Sequence, residues 1–233
     1  MKTIRLFFAI AVLTLHFALQ TLNCFSQGTR LWATYYGGTG TDVNASVVTD
    51  VSGNVYLAGN GSSTANISSG GFQNTYGGGG QDAFLIKFSS TGVRLWATYY
   101  GGVNSDNSYA AATDASGNVY LAGWTDSPTT TSIASGGFQN TYGGGTNDAF
   151  LVKFSSAGIR QWGTYYGGSA DDRGYMVASD ALGNVYLSGS TSSTGISSGG
   201  FQSIGGGGLD AFLVKFDAAG NRLWATYYGG VGG

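Results

Sequence analysis

Nine residues, RLWATYYGG, stand at positions 30–38 and return unchanged at 94–102 and 222–230, while RQWGTYYGG at 160–168 is a lightly edited copy. Such repetition narrows the possible folds sharply. Each copy must build the same small unit, and a unit too thin to bury its own apolar faces has to stack on the next. Trp32, Trp96, Trp162 and Trp224 mark the period, with spacings of 64, 66 and 62 residues.

Two further phrases follow in order. TDVSGNVYLAG (49–59) recurs as TDASGNVYLAG (113–123) and SDALGNVYLSG (179–189), and DAFLIKF (82–88) recurs as DAFLVKF (148–154 and 210–216). From each of the first three tryptophans to the glycine that ends the second phrase is 27 residues, and from the aspartate that opens the third phrase to the next tryptophan is 14. Only the stretch between changes, at 23, 25 and 21 residues. Constant lengths belong to paired strands whose register cannot slip, and the variable stretch is a surface loop.

Each unit divides into four strand-like runs, in the first unit 45–49, 54–58, 83–88 and 95–100. DVSGN, DASGN and DALGN are tight-turn sequences, since Asp bonds its own backbone and Gly tolerates positive φ, so the first two runs make a hairpin. SSTG, SSAG and DAAG join the third and fourth. The expected fold class is all-β: a β-propeller-type array of three four-stranded antiparallel blades plus one extra N-terminal outer strand, an incomplete ring. The small run ASVV suits an innermost strand, and the bulky LWATYY suits the perimeter. The expected boundaries are an outer strand at 30–38, blade 1 at 39–102, blade 2 at 103–168 and blade 3 at 169–230, all within a repeat domain at 27–233.

Composition agrees. The 233 residues are 42% hydrophobic and 14% aromatic but only 9% charged, with 42 glycines and one proline. That is enough apolar material for a core and too little charge for a disordered chain. Residues 1–26 differ from the rest: Lys2 and Arg5 precede an apolar run at 6–19, and Cys24 and Ser26 are small residues placed for cleavage before Gln27. They are expected to be a signal peptide, which makes the chain secreted or cell-surface. The run is shorter than a spanning helix, so no membrane span is expected. A lipidated Cys24 is the alternative, although Asn23 stands where a small residue is usual. Past residue 26 there is no cysteine or histidine, and eight basic residues face twelve aspartates. Disulfides are thus excluded there, and no basic face exists for nucleic acid.

The ordered set YYGG, DxxGNVYLxG, SGGFQ and DAFLxKF resembles the SBBP β-propeller repeat family of bacterial secreted and surface proteins. The resemblance covers essentially the whole of 27–233 and implies an extracytoplasmic propeller, with no defined catalytic activity. The chain holds three units where a family ring holds seven, so it reads as a piece of a longer propeller. Bare apolar faces on its first and last blades imply self-association. Two copies would give six blades, but a thirteenth strand would be surplus.

Function is less legible. The loops entering the inner strand and those between the second and third strands should share one rim. It would carry Asp42, Asp106 and Asp172 beside Tyr76, Tyr142 and Trp124 as candidate contacts for a glycan or protein ligand. The bland reading is that these aspartates bond nearby amides and that Phe72, Phe138 and Phe201 plug each loop onto its own blade. Trp124 breaks the repeat, since Asn60 and Ser190 occupy its place, and Asp171, Asp172 and Arg173 form a charged cluster found in one unit only. No catalytic residue, metal or cofactor is expected. The DVSGN oxygens lack the acidic density of a calcium loop. A non-catalytic structural or binding scaffold is the reading, and a carbohydrate-active enzyme with an acidic rim is the alternative.

Overall fold

A computed structural model describes residues 30–128 and 130–231. The expected signal peptide lies outside the described residues. The chain divides into two compact units, Met1–Ala33 and Thr34–Gly233, and all the blades lie in the second.

Three four-stranded antiparallel sheets form, each meandering in chain order. Blade 1 is β1 (Asp42–Thr49), β2 (Val55–Gly61), β3 (Asp82–Phe88) and β4 (Arg94–Tyr100). Blade 2 is β5 (Asp106–Thr113), β6 (Val119–Thr125), β7 (Asp148–Phe154) and β8 (Arg160–Tyr166). Blade 3 is β9 (Asp172–Ser179), β10 (Val185–Thr191), β11 (Asp210–Phe216) and β12 (Arg222–Tyr228). A single turn of helix, α1 (Thr130–Ile133), interrupts the second long loop. Blades meet chiefly through β1, β5 and β9, so the small-residue strands converge and the tryptophan-bearing strands splay outward, as their volumes require.

The inner strands begin three residues earlier than expected because each contains a β-bulge, at Ala45, Tyr109 and Tyr175. The hairpin turns match their chemistry. Asp50 accepts from the backbone amides of Ser52 and Asn54, at 3.0 Å each, and Gly53 sits at φ 75°.

Alternation along the third strand builds the joints between blades. Leu85 and Ala83 on the back of blade 1 share a cluster with Phe150, Val152 and Phe154 on the front of blade 2. Ala149 and Leu151 meet Phe212, Val214 and Phe216 in the same way one blade further on. Lys87 and Lys153 lie in these joints. Each reaches the turn aspartate of its own blade, Asp50 at 3.5 Å and Asp114 at 3.8 Å, and donates to a carbonyl of the next, Ser156 O at 3.1 Å and Ala218 O at 3.2 Å.

Three expectations need correction. The outer strand at 30–38 is not formed. Its later copies pair with a DAFLxKF strand that precedes them, and no such phrase precedes residue 30. The front of blade 1 is not bare either: Phe84, Ile86 and Phe88 are buried beneath Tyr36 and Ile67. Finally, Phe72 and Phe138 do not plug their own blades. Their loops fold back along β4 and β8, where Gln73 and Gln139 bridge to Tyr99 and Tyr165. The phenylalanines then project to the following blade, 6.2 Å from Phe154 and 6.5 Å from Phe216.

Candidate functional site

The two loop classes do share a rim, tied together by backbone bonds such as Ser62 to Thr41 at 2.9 Å and Asp126 to Ser105 at 3.1 Å. The aspartates expected to line it turn inward. Asp106 and Asp172 are fully buried, and Asp42 is half-buried. The carboxylate of each accepts from the second glycine of YYGG: Gly38 at 2.8 Å, Gly102 at 2.7 Å and Gly168 at 2.8 Å. Each also takes a serine hydroxyl, from Ser63, Ser127 and Ser193. They fasten the crossover between blades and are not offered to a ligand.

Burial pushes Asp106 up to about 7, against the pull of hydrogen bonds from Thr125 and Gly102. Asp82 and Asp148 are also raised to about 7 by burial, opposed by the amides of Gly77 and Gly143. An acid that keeps its proton near neutrality in a closed crossover needs no cation. Among the described residues no group of three metal-binding side chains occurs.

Tyr76 and Tyr142 are also spoken for. They stack edge-on against Tyr99 and Tyr165 at 5.9 and 5.7 Å, and their hydroxyls close their own loops onto Gly79 O and Gly145 O.

Trp124 behaves differently. At the rim end of β6, half-buried, it donates from Nε1 to the Tyr109 hydroxyl at 3.0 Å. The Arg173 guanidinium lies 5.5 Å from the centre of its ring. Tyr109 stacks at 5.4 Å on Tyr175 of the next blade, and Arg173 is held by Asp171 at 3.1 Å. Asn147 in turn donates to Asp171 at 2.6 Å. Tyr109 and Tyr175 are 38% and 37% exposed, so about a third of each ring is left to solvent.

Both tyrosines are the extra residue of a β-bulge, a device that re-aims a side chain out of the pleat. In blade 1 the matching positions hold Ala45, Asn60 and Val43, none of which can make this surface. Breaks in the repeat single out Trp124 and the Asp171–Arg173 cluster in the sequence, but not the fact that they meet. Tyr109 and Tyr175 escape that reading, although they too replace alanine and so carry the same signal.

Three stacked, inward-converging four-stranded sheets define a propeller-type repeat scaffold. The SBBP β-propeller repeat model matches residues 95–128 and 161–197, so the chain carries that repeat. It is also similar to an uncharacterized WD repeat-containing protein of Acanthamoeba polyphaga mimivirus, 27% identical over 174 residues, covering 62% of this chain and 12% of that protein. The chain thus spans about an eighth of that relative's length. Among the described residues no helix is long and apolar enough to cross a membrane.

Proposed function

We propose that this chain is an exported, non-catalytic propeller scaffold that binds a glycan through the Trp124–Tyr109–Tyr175–Arg173 surface on the rim shared by blades 2 and 3. The carrying observation is that side chains departing from an otherwise strict repeat converge on one place. Repeated positions answer to the shared fold, whereas departures that meet in space answer to something the fold does not need. Half-exposed tyrosine faces offer C–H contacts to a sugar ring, and the Arg173–Asp171 pair offers donors and acceptors to its hydroxyls. Export rests on residues 1–26, and the cell surface is where a glycan scaffold of this kind would act.

A cleaving enzyme is less well supported, because the acidic rim it would use is buried and bonded to backbone amides. A glycan and peptide array tests the reading. Glycan binding that falls at least tenfold in Trp124→Ala and Tyr109→Ala supports it, and binding to peptides alone, or binding indifferent to both substitutions, refutes it. Release of product from a bound glycan would replace it with the enzymatic reading.

A further inference from the structure

The two internal joints are built alike, and each half of that joint recurs at one end of the array. In the joints, Tyr100 rests on Phe150 and Phe154 at 5.1 and 5.9 Å, and Tyr166 rests on Phe212 and Phe216 at 5.1 and 6.0 Å. The hydroxyls of Tyr100 and Tyr166 donate to Ile133 O and Ile196 O. A loop phenylalanine completes each joint, with Arg160 over Phe72 and Arg222 over Phe138, both at 4.3 Å.

The back of blade 3 carries the same set uncovered. Leu213 is 36% exposed where Leu85 and Leu151 are fully buried, Phe201 is 89% exposed, and Tyr228 is 74% exposed where Tyr100 and Tyr166 are buried. An apolar recess of about 280 Å³ between Phe201, Leu213 and Trp224 marks this face.

The front of blade 1 offers the matching half. There Tyr36 rests on Phe84 and Phe88 at 6.2 and 6.0 Å, and its hydroxyl donates to Ile67 O. Arg94, in the position of Arg160 and Arg222, lies 6.0 Å from Tyr36, and among the described residues it covers no loop phenylalanine. The segment around Tyr36 thus keeps the seat of an outer strand without forming one, and 30–38 is identical in sequence to 222–230.

We propose that a second copy of this chain covers the back of blade 3 by exchange: β12 of one copy takes the seat held by the Tyr36 segment of the other. Tyr228 replaces Tyr36, and Phe201 fills the place under Arg94. The segment that leaves and the strand that arrives are the same nine residues, so the packing given up by one is restored by the other. The burial of Phe201 and Leu213 is the surplus that drives association. The pairing is head-to-tail, and made twice it closes on itself. Two copies supply six blades, inside the range of about four to eight at which propellers close, and three copies would exceed it. The displaced segment is the surplus thirteenth strand.

Sedimentation equilibrium and light scattering on the purified chain test this. A reversible monomer–dimer equilibrium is expected, weakened about tenfold or more by Tyr228→Ala and by Phe201→Asp. Tyr36→Ala is expected to tighten it, because it evicts the competitor for the seat. Tyr36→Phe, which removes only the hydroxyl's hydrogen bond, shifts it the same way by less and serves if the alanine variant does not fold. A monomer at all concentrations to about 100 µM, an open polymer, or shifts of the same sign for Tyr36 and Tyr228 variants would overturn the exchange. Glycan binding is read separately, so either proposal can fail alone.

Discussion

Phe138 and Phe201 occupy the same place in successive repeats, yet one has a neighbouring blade and the other has none. Phe138 is 42% exposed and Phe201 is 89% exposed. The difference is roughly half of a side chain that offers ~200 Å², or ~100 Å², worth about 2.5 kcal/mol at ~25 cal/mol/Å². The Arg222 guanidinium 4.3 Å from the Phe138 ring centre adds about 0.5–1 kcal/mol. Residual burial in the unfolded chain trims the total to about 2–3 kcal/mol. Phe138→Ala should therefore cost about that much, and Phe201→Ala less than about 0.5 kcal/mol, in single chains. The assay is urea unfolding followed by tryptophan fluorescence, at concentrations where light scattering reports only monomer. Equal losses for the two variants in that regime would refute the claim that the following blade, and not the phenylalanine's own loop, sets its energy. Phe72→Ala, at 36% exposure, should track Phe138→Ala.

Three other outcomes follow from the same repeat logic. Lys153→Met leaves Asp114 without its cation in a closed joint and should lower stability by about 1–3 kcal/mol, whereas Lys215→Met, whose pair with Asp180 faces the open end, should cost little; equal effects in thermal melts would contradict the joint. Gly117 and Gly158 both have φ near 80°, but only at Gly158 would an added Cβ fall 2.8 Å from the Trp96 ring of the preceding blade. Gly117→Ala should cost about 1–2 kcal/mol and Gly158→Ala clearly more, and the reverse order in unfolding midpoints would discredit the packing. As for pH, burial raises Asp82, Asp106 and Asp148 from 3.8 to about 7, so the folded chain keeps protons that the unfolded chain releases near pH 4. Their contribution is full below about pH 4 and is lost as pH rises through 7. Asp180, held at about 2 chiefly by the Asn184 side-chain amide, acts with the opposite sign but only below about pH 4. Melting temperature should therefore fall between pH 5 and pH 8, less steeply in Asp106→Asn, and a flat profile would contradict the raised acids.

The blades are legible in the sequence because repetition exposes register: constant 27- and 14-residue intervals can only be paired strands, and the volumes of ASVV and LWATYY order them from hub to rim. What stays hidden is anything set by one blade's relation to the next. Nothing local in SGGFQ says that Phe72 crosses to a neighbour. Nothing in the Asp of YYGGxxxD says that its carboxylate folds back onto the second glycine, because the amide it meets belongs to a crossover that exists only when two blades are stacked. Tyr109 and Tyr175 are hidden for another reason, since a bulge shifts the alternation by one and reverses the face a strand pattern assigns.

The same distinction separates stability from recognition here. Residues that recur in every unit, such as Tyr100 and Tyr166 or Lys87 and Lys153, are consumed in joints, because each blade needs the same seal on its neighbour. A ligand asymmetric enough to be recognised cannot be met by a surface repeated identically on every blade without being met several times over. Specific binding therefore has to come from positions where the repeat is broken. Trp124, Tyr109, Tyr175 and Arg173 are such positions, and they touch. Transplanting them onto blade 1, by Val43→Arg, Ala45→Tyr and Asn60→Trp together, would build parts of a second platform on an unchanged scaffold. A gain of glycan binding in isothermal titration would show that the broken repeat carries recognition, and an unchanged stoichiometry in a folded variant would show that the surrounding loops are needed as well.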